Sequence, residues 1–226
     1  VFVTGAELSL FTKGFLPGDD LDERLGLLAD RGRLVAALPT VPSLINDFLG
    51  KAVAVVRERF GGKVTYASIQ FEGVDWEPFD FLSIDLYRTA GIADRFVPAV
   101  RRLVASGKPV AITEFGSATF RGAAARGAEG GMIVVYEGAE PVGLDGDYTR
   151  DEDEQAAVIR ELLEVFEAED VDSAFLCTFA CYHLPHRPDD PRRDLDLGGY
   201  GVVKVLDDGT WRRKAAFGSV AEHYRG

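Results

Sequence analysis

Two kinds of hydrophobic pattern alternate along this chain. Short apolar runs at residues 1–4, 64–69, 81–86, 110–113 and 174–179 are rich in Val, Ile, Leu and Phe, and they read as buried strands. Longer stretches at 21–29, 41–60, 92–105, 151–168 and 214–224 carry apolar residues at helical spacing. In the second of these, Ile45, Phe48, Leu49, Ala52, Val53 and Val56 share one face, and Gly61-Gly62 follows its end. Asp19 and Asp20 can cap the first, while the fourth opens on Asp151, Glu152, Asp153 and Glu154, acids suited to a helix N-terminus. Strands separated by helices of this length predict βαβ crossovers and a parallel sheet. No G-x-G-x-x-G follows a strand and no P-loop is present, so a nucleotide site has no support.

The irregular stretches, 117–150 and 184–211, each follow the C-terminal end of a strand, where α/β enzymes bind ligands. Within the first, residues 132–136 and 141–144 flank a Gly-containing turn and predict a small hairpin. A loop this long in a compact domain is expected to serve as a lid. The expectation is a flap over the site, hinged at Gly127, Gly130 and Gly131, with Arg121 or Arg126 near the carboxylates.

Composition narrows the class. The 226 residues are 46% hydrophobic and 27% charged, which suffices for one domain with a sizeable core. A net charge of −12 argues against nucleic acid and anionic membranes, and no apolar run reaches the roughly 18 residues of a membrane span. Cys177 and Cys181, four apart in a strand, would lie roughly 13 Å from each other, beyond disulfide reach. Together with His183 and His186 they match no common zinc spacing, so they read as reduced core cysteines, with no metal and no cofactor. The start, "VFVTGAELSLF", lies in mid-strand and lacks an initiator Met. The reading is a single domain, 1–226, continuing an upstream part, with a cytoplasmic location expected.

Acidic residues recur at strand ends: Glu7 after "VFVTGA", Glu72 after "VTYASIQF", Asp85 in "FLSIDLY" and Glu114 in "VAITEF". A carboxylate there is costly if dry and useful if it does chemistry. Polar groups from several strand ends converge on one face of a (β/α)8 barrel, and the spacing from Glu7 to Glu114 fits three βα units of about 31 residues each. Plainer accounts stand beside each. Glu114 could pair with an Arg at the rim, and Glu7 could simply start a helix. Trp76 could stack on a sugar or anchor a loop, Asp85 and Arg88 could form a rim ion pair, and His183 and His186 could line the last loop.

At these residues the chain resembles the retaining glycoside hydrolases of the TIM-barrel clan A. "KPVAITEFG" is similar to their seventh strand, "FDFLSIDLYR" to the sixth, "AFLCTFACYH" to the eighth, and "GYGVVKVLDDGTWRRKAAF" to their closing hairpin and helix. The resemblance implies an α/β, TIM-barrel-like fold carrying strands four to eight and lacking the first three βα units. It implies Glu114 as nucleophile and Glu7 as acid/base, with Tyr87 steadying Glu114; Glu72 could equally be the acid/base or a sugar-binding group. Substrate would be bound by Glu72, Trp76, Asp85, Tyr87, Arg88, Phe179, Tyr182 and His183, the ligand being a carbohydrate. The pattern departs from the family at Ala6, where Asn precedes the acid/base, and at Phe179 or Tyr182, where a Trp is usual. Whole-length character also resembles bacterial proteins labelled abortive-infection proteins, which implies the alternative of an inactive barrel binding a glycan or protein partner, in phage defence. An incomplete barrel leaves open sheet edges, at which copies could self-associate.

Overall fold

Branched apolar residues form strands close to where their runs predict them. The computed structural model describes residues 1–225; Gly226 lies outside the described residues. The chain divides into two compact units, one holding Val1–Leu86 and Leu103–Thr113, the other Tyr87–Arg102 and the chain from Glu114 onward.

In the first unit, β1 (Phe2–Ala6) leads through a four-residue helix, α1 (Leu8–Phe11), into α2 (Leu21–Ala29), α3 (Arg31–Ala37) and α4 (Val41–Arg57), then β2 (Val64–Ala67) and β3 (Leu82–Asp85). β1 and β2 pair in parallel, Phe2 opposite Val64, and a parallel bridge from Ser68 to Ile84 joins β2 to β3. β4 (Val110–Phe115) follows beside β3, with the Leu82 amide donating to the Pro109 carbonyl. The strands thus stand in chain order, as βαβ crossovers dictate. Val41, Ile45, Leu49 and Val53 of α4 pack on Val64 and Tyr66 of β2, with Leu10, Leu16, Leu27 and Phe79 completing the core. Asp20 caps α2 by accepting from the Glu23 amide at 2.9 Å. Val1, Phe2 and Val3 are exposed, and β1 has a strand on one edge alone among the described residues.

The second unit contains most of α5 (Ala93–Val104), the hairpin β5 (Val134–Glu137) and β6 (Glu140–Leu144), α6 (Glu152–Ala168), β7 (Ser173–Leu176), the hairpin β8 (Val203–Val205) and β9 (Trp211–Arg213), and α7 (Ala215–His223). Asp151 caps α6, accepting from the Glu154 amide at 3.0 Å. Among the described residues no helix is long and apolar enough to cross a membrane.

Several expectations need correction here. The strand expected over 174–179, β7, stops at Leu176, and Cys177 and Cys181, expected in the core, are half-buried free thiols. The α4 helix ends at Arg57 rather than 60: the Glu58 and Arg59 amides turn to the Val55 and Val56 carbonyls three residues back, which tightens the last turn before Gly61-Gly62. The hairpin after β4 forms with an exposed tip, but the chain around it packs into a core of its own rather than swinging as a flap. Ala118, Phe120, Ala123, Ile133, Val134 and Leu144 bury together with Leu184, Leu195 and Leu197. Its glycines serve close packing rather than hinging: a Cβ on Gly127 would lie 2.9 Å from Thr89 Cγ2, and one on Gly130 3.1 Å from Ala118 Cβ. Arg121 pairs with Asp151, and Arg126 lies over the Phe120 ring at 5.8 Å, so both guanidiniums are engaged within the segment.

The second long loop is held by charge. Arg150 donates to Asp196 Oδ2 at 2.7 Å and to Asp194 Oδ2 at 2.9 Å, and His186 Nδ1 lies 2.8 Å from Asp194 Oδ1. Lys214, at the start of α7, pairs with Asp196 at 2.9 Å and donates to Thr119 Oγ1 at 2.8 Å. Lys214 and Asp196 are 3% and 1% exposed.

Candidate active site

The end of β4 explains the sequence Thr-Glu-Phe-Gly. Val110, Ala111 and Ile112 are buried, and alternation sends Phe115 into the core, where its ring meets the Phe166 edge of α6 at 5.2 Å. Glu114 therefore points to the opposite side and is half-buried. The Tyr87 hydroxyl donates to Glu114 Oε1 at 2.5 Å. Burial, and next the Glu114 charge, push the Tyr87 phenol far above its ordinary pKa, so it remains a donor. Tyr200 sets its ring edge-on to Tyr87 at 5.7 Å, and its own hydroxyl accepts from the Gly131 amide and donates to the Gly127 carbonyl. The 127–131 turn is thereby tied to the ring that supports Tyr87.

Cys177 completes this group. Its amide donates to the Phe115 carbonyl at 2.8 Å, and burial followed by the Glu114 charge pushes its thiol up to about 12. Its carbonyl passes so near that a Cβ on Gly116 would stand 2.5 Å away. Gly116 is glycine because a neighbouring backbone occupies the space of a side chain.

A second constellation surrounds Glu7. Its amide donates to the Ala67 carbonyl, and its backbone is left-handed, φ 42° and ψ 43°, which costs a non-glycine residue free energy. The Leu8 amide donates to the Tyr66 hydroxyl at 2.8 Å, and the Ser9 amide to Glu72 Oε1 at 3.0 Å. Tyr66 in turn donates its proton to Glu72, with both carboxylate oxygens 2.9 Å away, and the Ile69 amide reaches Oε2 at 3.3 Å. Burial, then the Glu72 charge, raise the Tyr66 phenol, and the Glu7 charge adds to this.

Glu72, expected to face a sugar, is instead fully enclosed at 0% exposed, its oxygens taken by internal donors. Trp76 is half-buried on the first core, 5.6 Å from the Phe79 ring, the loop-anchor position. Asp85 is buried at the end of β3 and donates its amide to the Ser68 carbonyl. Arg88 makes a two-pronged pair with Glu161 of α6, at 2.8 and 2.7 Å, so its guanidinium is turned to that helix. Phe179 is half exposed with its ring 5.4 Å from Trp211, and Tyr182 and His183 are exposed. Tyr87 and Glu114 are the expected pair that the second unit joins directly. Sequence reasoning missed Cys177, Tyr200 and Tyr66. A tyrosine in an otherwise apolar strand, as in "VTYA", was the available signal, since a buried hydroxyl demands a partner.

No family model and no curated protein matches the chain. Solved structures do. A GH113 β-1,4-mannanase determined as a complex aligns at 20% identity with a TM-score of 0.55, over 80% of this chain and 51% of that one. A second GH113 β-1,4-mannanase structure aligns at 20% identity and a TM-score of 0.53 over the same shares. Over 80% of its length the chain therefore shares the α/β fold of these neighbours; it forms no closed barrel among the described residues and spans about half of their length.

Proposed function

We propose that this chain carries the two carboxylates of a retaining glycoside hydrolase, with Glu114 as nucleophile, Glu7 as acid/base, and a β-linked mannose oligosaccharide as substrate. The observation that carries the reading is the hydrogen bond from Tyr87 to Glu114 at the end of β4. It fixes one oxygen of the carboxylate that would attack. The mannose preference comes from the names of the fold neighbours alone.

Glu114 attacks the anomeric carbon while Glu7 gives its proton to the departing glycosidic oxygen, so the C–O bond breaks as the ester forms. Glu7, now ionised, takes a proton from water; the hydroxide oxygen displaces Glu114, and the product keeps its configuration. Tyr87 follows the charge on Glu114, holding it when it is free and releasing it as the ester forms.

A second reading is binding without turnover, the role that abortive-infection resemblance would set in phage defence. It is favoured by Ala6, which has no side-chain amide to offer the sugar 2-OH beside Glu7. A dinitrophenyl 2-deoxy-2-fluoro-β-mannoside separates the two. Hydrolysis predicts a stable fluoroglycosyl ester on the peptide containing Glu114, found by mass spectrometry and absent in Glu114→Gln. Unlabelled Glu114, with retained affinity for mannose oligosaccharides, would establish binding without turnover.

A further inference from the structure

We propose that Tyr66 and Glu72 act as a positioning pair for Glu7, fixing the backbone turn from which its carboxyl is presented. Their service to catalysis rests on Glu7 being the acid/base; their hold on the turn does not.

The case begins with cost. A left-handed glutamate is strained, and the four-residue helix behind it is too short to form by its own hydrogen bonds. Something must hold both. The first two amides of α1 have no partner within the helix, and here each is met by a side chain: Leu8 by the Tyr66 hydroxyl, Ser9 by Glu72. Tyr66 comes from the middle of β2, the strand paired to β1, so its height is set by the sheet. The Tyr66 hydroxyl accepts from one amide and donates to the carboxylate, using both capacities at once.

Glu72 is the less expected member. A fully buried carboxylate ordinarily faces a cation, yet its partners here are a phenol and two backbone amides. Such a group is costly to keep unless its geometry is used. Its charge also lies near enough to Tyr66 for both it and Glu7 to raise that phenol, so two acids bear on one hydroxyl. The arrangement fixes the turn from which the Glu7 carboxyl is presented.

The test uses Tyr66→Phe and Glu72→Gln, both near-isosteric, in the sugar-free chain. Hydrogen exchange at Leu8 and Ser9 should quicken by about tenfold, as expected for a lost hydrogen bond, while exchange at Tyr66 and Ile84 stays as in the parent. The Glu7 carboxyl carbon resonance, followed by NMR, should shift in both variants as the turn that presents it relaxes. With mannose oligosaccharide, kcat should fall more than KM rises. Unchanged exchange at Leu8 and Ser9 together with an unmoved Glu7 resonance would overturn the pair's role. Lack of hydrolysis by the parent chain would count against the glycosidase reading alone, since exchange and resonance are read without substrate.

Discussion

Tyr87 and Glu114 share a hydrogen bond of 2.5 Å, with the Cys177 thiol drawn into the same group. Removing the hydroxyl should act on chemistry more than on packing, because Tyr87→Phe keeps the ring against Tyr200. The expected loss in kcat/KM is on the order of tenfold to a hundredfold, the scale of one charge-assisted hydrogen bond. Urea unfolding of the same variant at neutral pH should shift by less than the kinetic loss. Equal losses in both measurements would make Tyr87 a structural tyrosine.

Alkali should expose the same buried phenols. Tyr66, Tyr87 and Tyr200 are all raised, burial being the first cause in each. A raised folded pKa gives stability that is whole below about pH 10 and falls as pH climbs toward the folded value, since the unfolded chain loses its proton first. Each phenol contributes a slope of up to about 1.4 kcal/mol per pH unit. Tyr87→Phe should therefore flatten the decline in stability between about pH 10 and 12, read by urea midpoints across that range.

Cys177 should be a slow thiol. A pKa of about 12 leaves it on the order of a thousandfold less thiolate near pH 8 than an unperturbed cysteine. Iodoacetamide alkylation of Cys181→Ala should thus be slow when folded and rapid in denaturant. Comparable rates in the two conditions would refute this.

Gly116→Ala should destabilise by about 1–3 kcal/mol or more, because its methyl would meet the Cys177 carbonyl. Gly218→Ala on α7, where nothing lies within 4 Å of the added carbon, should instead gain up to about 1 kcal/mol from helix propensity. Both are read from urea or thermal midpoints.

Lys214→Met should cost about 1–3 kcal/mol, since Asp196 Oδ1 loses its cation in the interior while Arg150 still holds Oδ2. Adding Asp196→Leu should recover part of that loss, because the half-paired buried carboxylate is gone while Arg150 keeps Asp194. A double variant no better than the single would show that the pair's hydrogen bonds to Thr119 and Arg150 matter more than its burial.

The strand cores were legible because parallel strands buried on both faces need unbroken apolar runs, which "VTYA", "LSID" and "VAITEF" approximate. The short helix behind Glu7 was not. Its four residues carry no periodic signal, and it exists by bonds to Tyr66 and Glu72 from far along the chain. α3 escaped because Gly32 sits inside it and Asp30 ends one helix while capping the next. Gly127, Gly130 and Gly131 misled for a physical reason: glycine marks both freedom to move and lack of room, and a sequence shows neither neighbour nor space. That Glu114 stands at a strand end was legible because such a position is local. The enclosure of Glu72 was not visible, since burial belongs to the fold.

Lys214 gives the C-terminal helix a consequence for proteolysis. A terminal helix that merely covered a core could be trimmed with modest effect. This one begins at a lysine bonded to Thr119, just past β4, and to Asp196 in the loop that Arg150 also grips. A protease cutting between Trp211 and Lys214 would release that anchor from the second unit, and two distant stretches of chain should become cleavable in turn. Digestion should accordingly run from intact chain to small fragments, with little of a shortened species accumulating between.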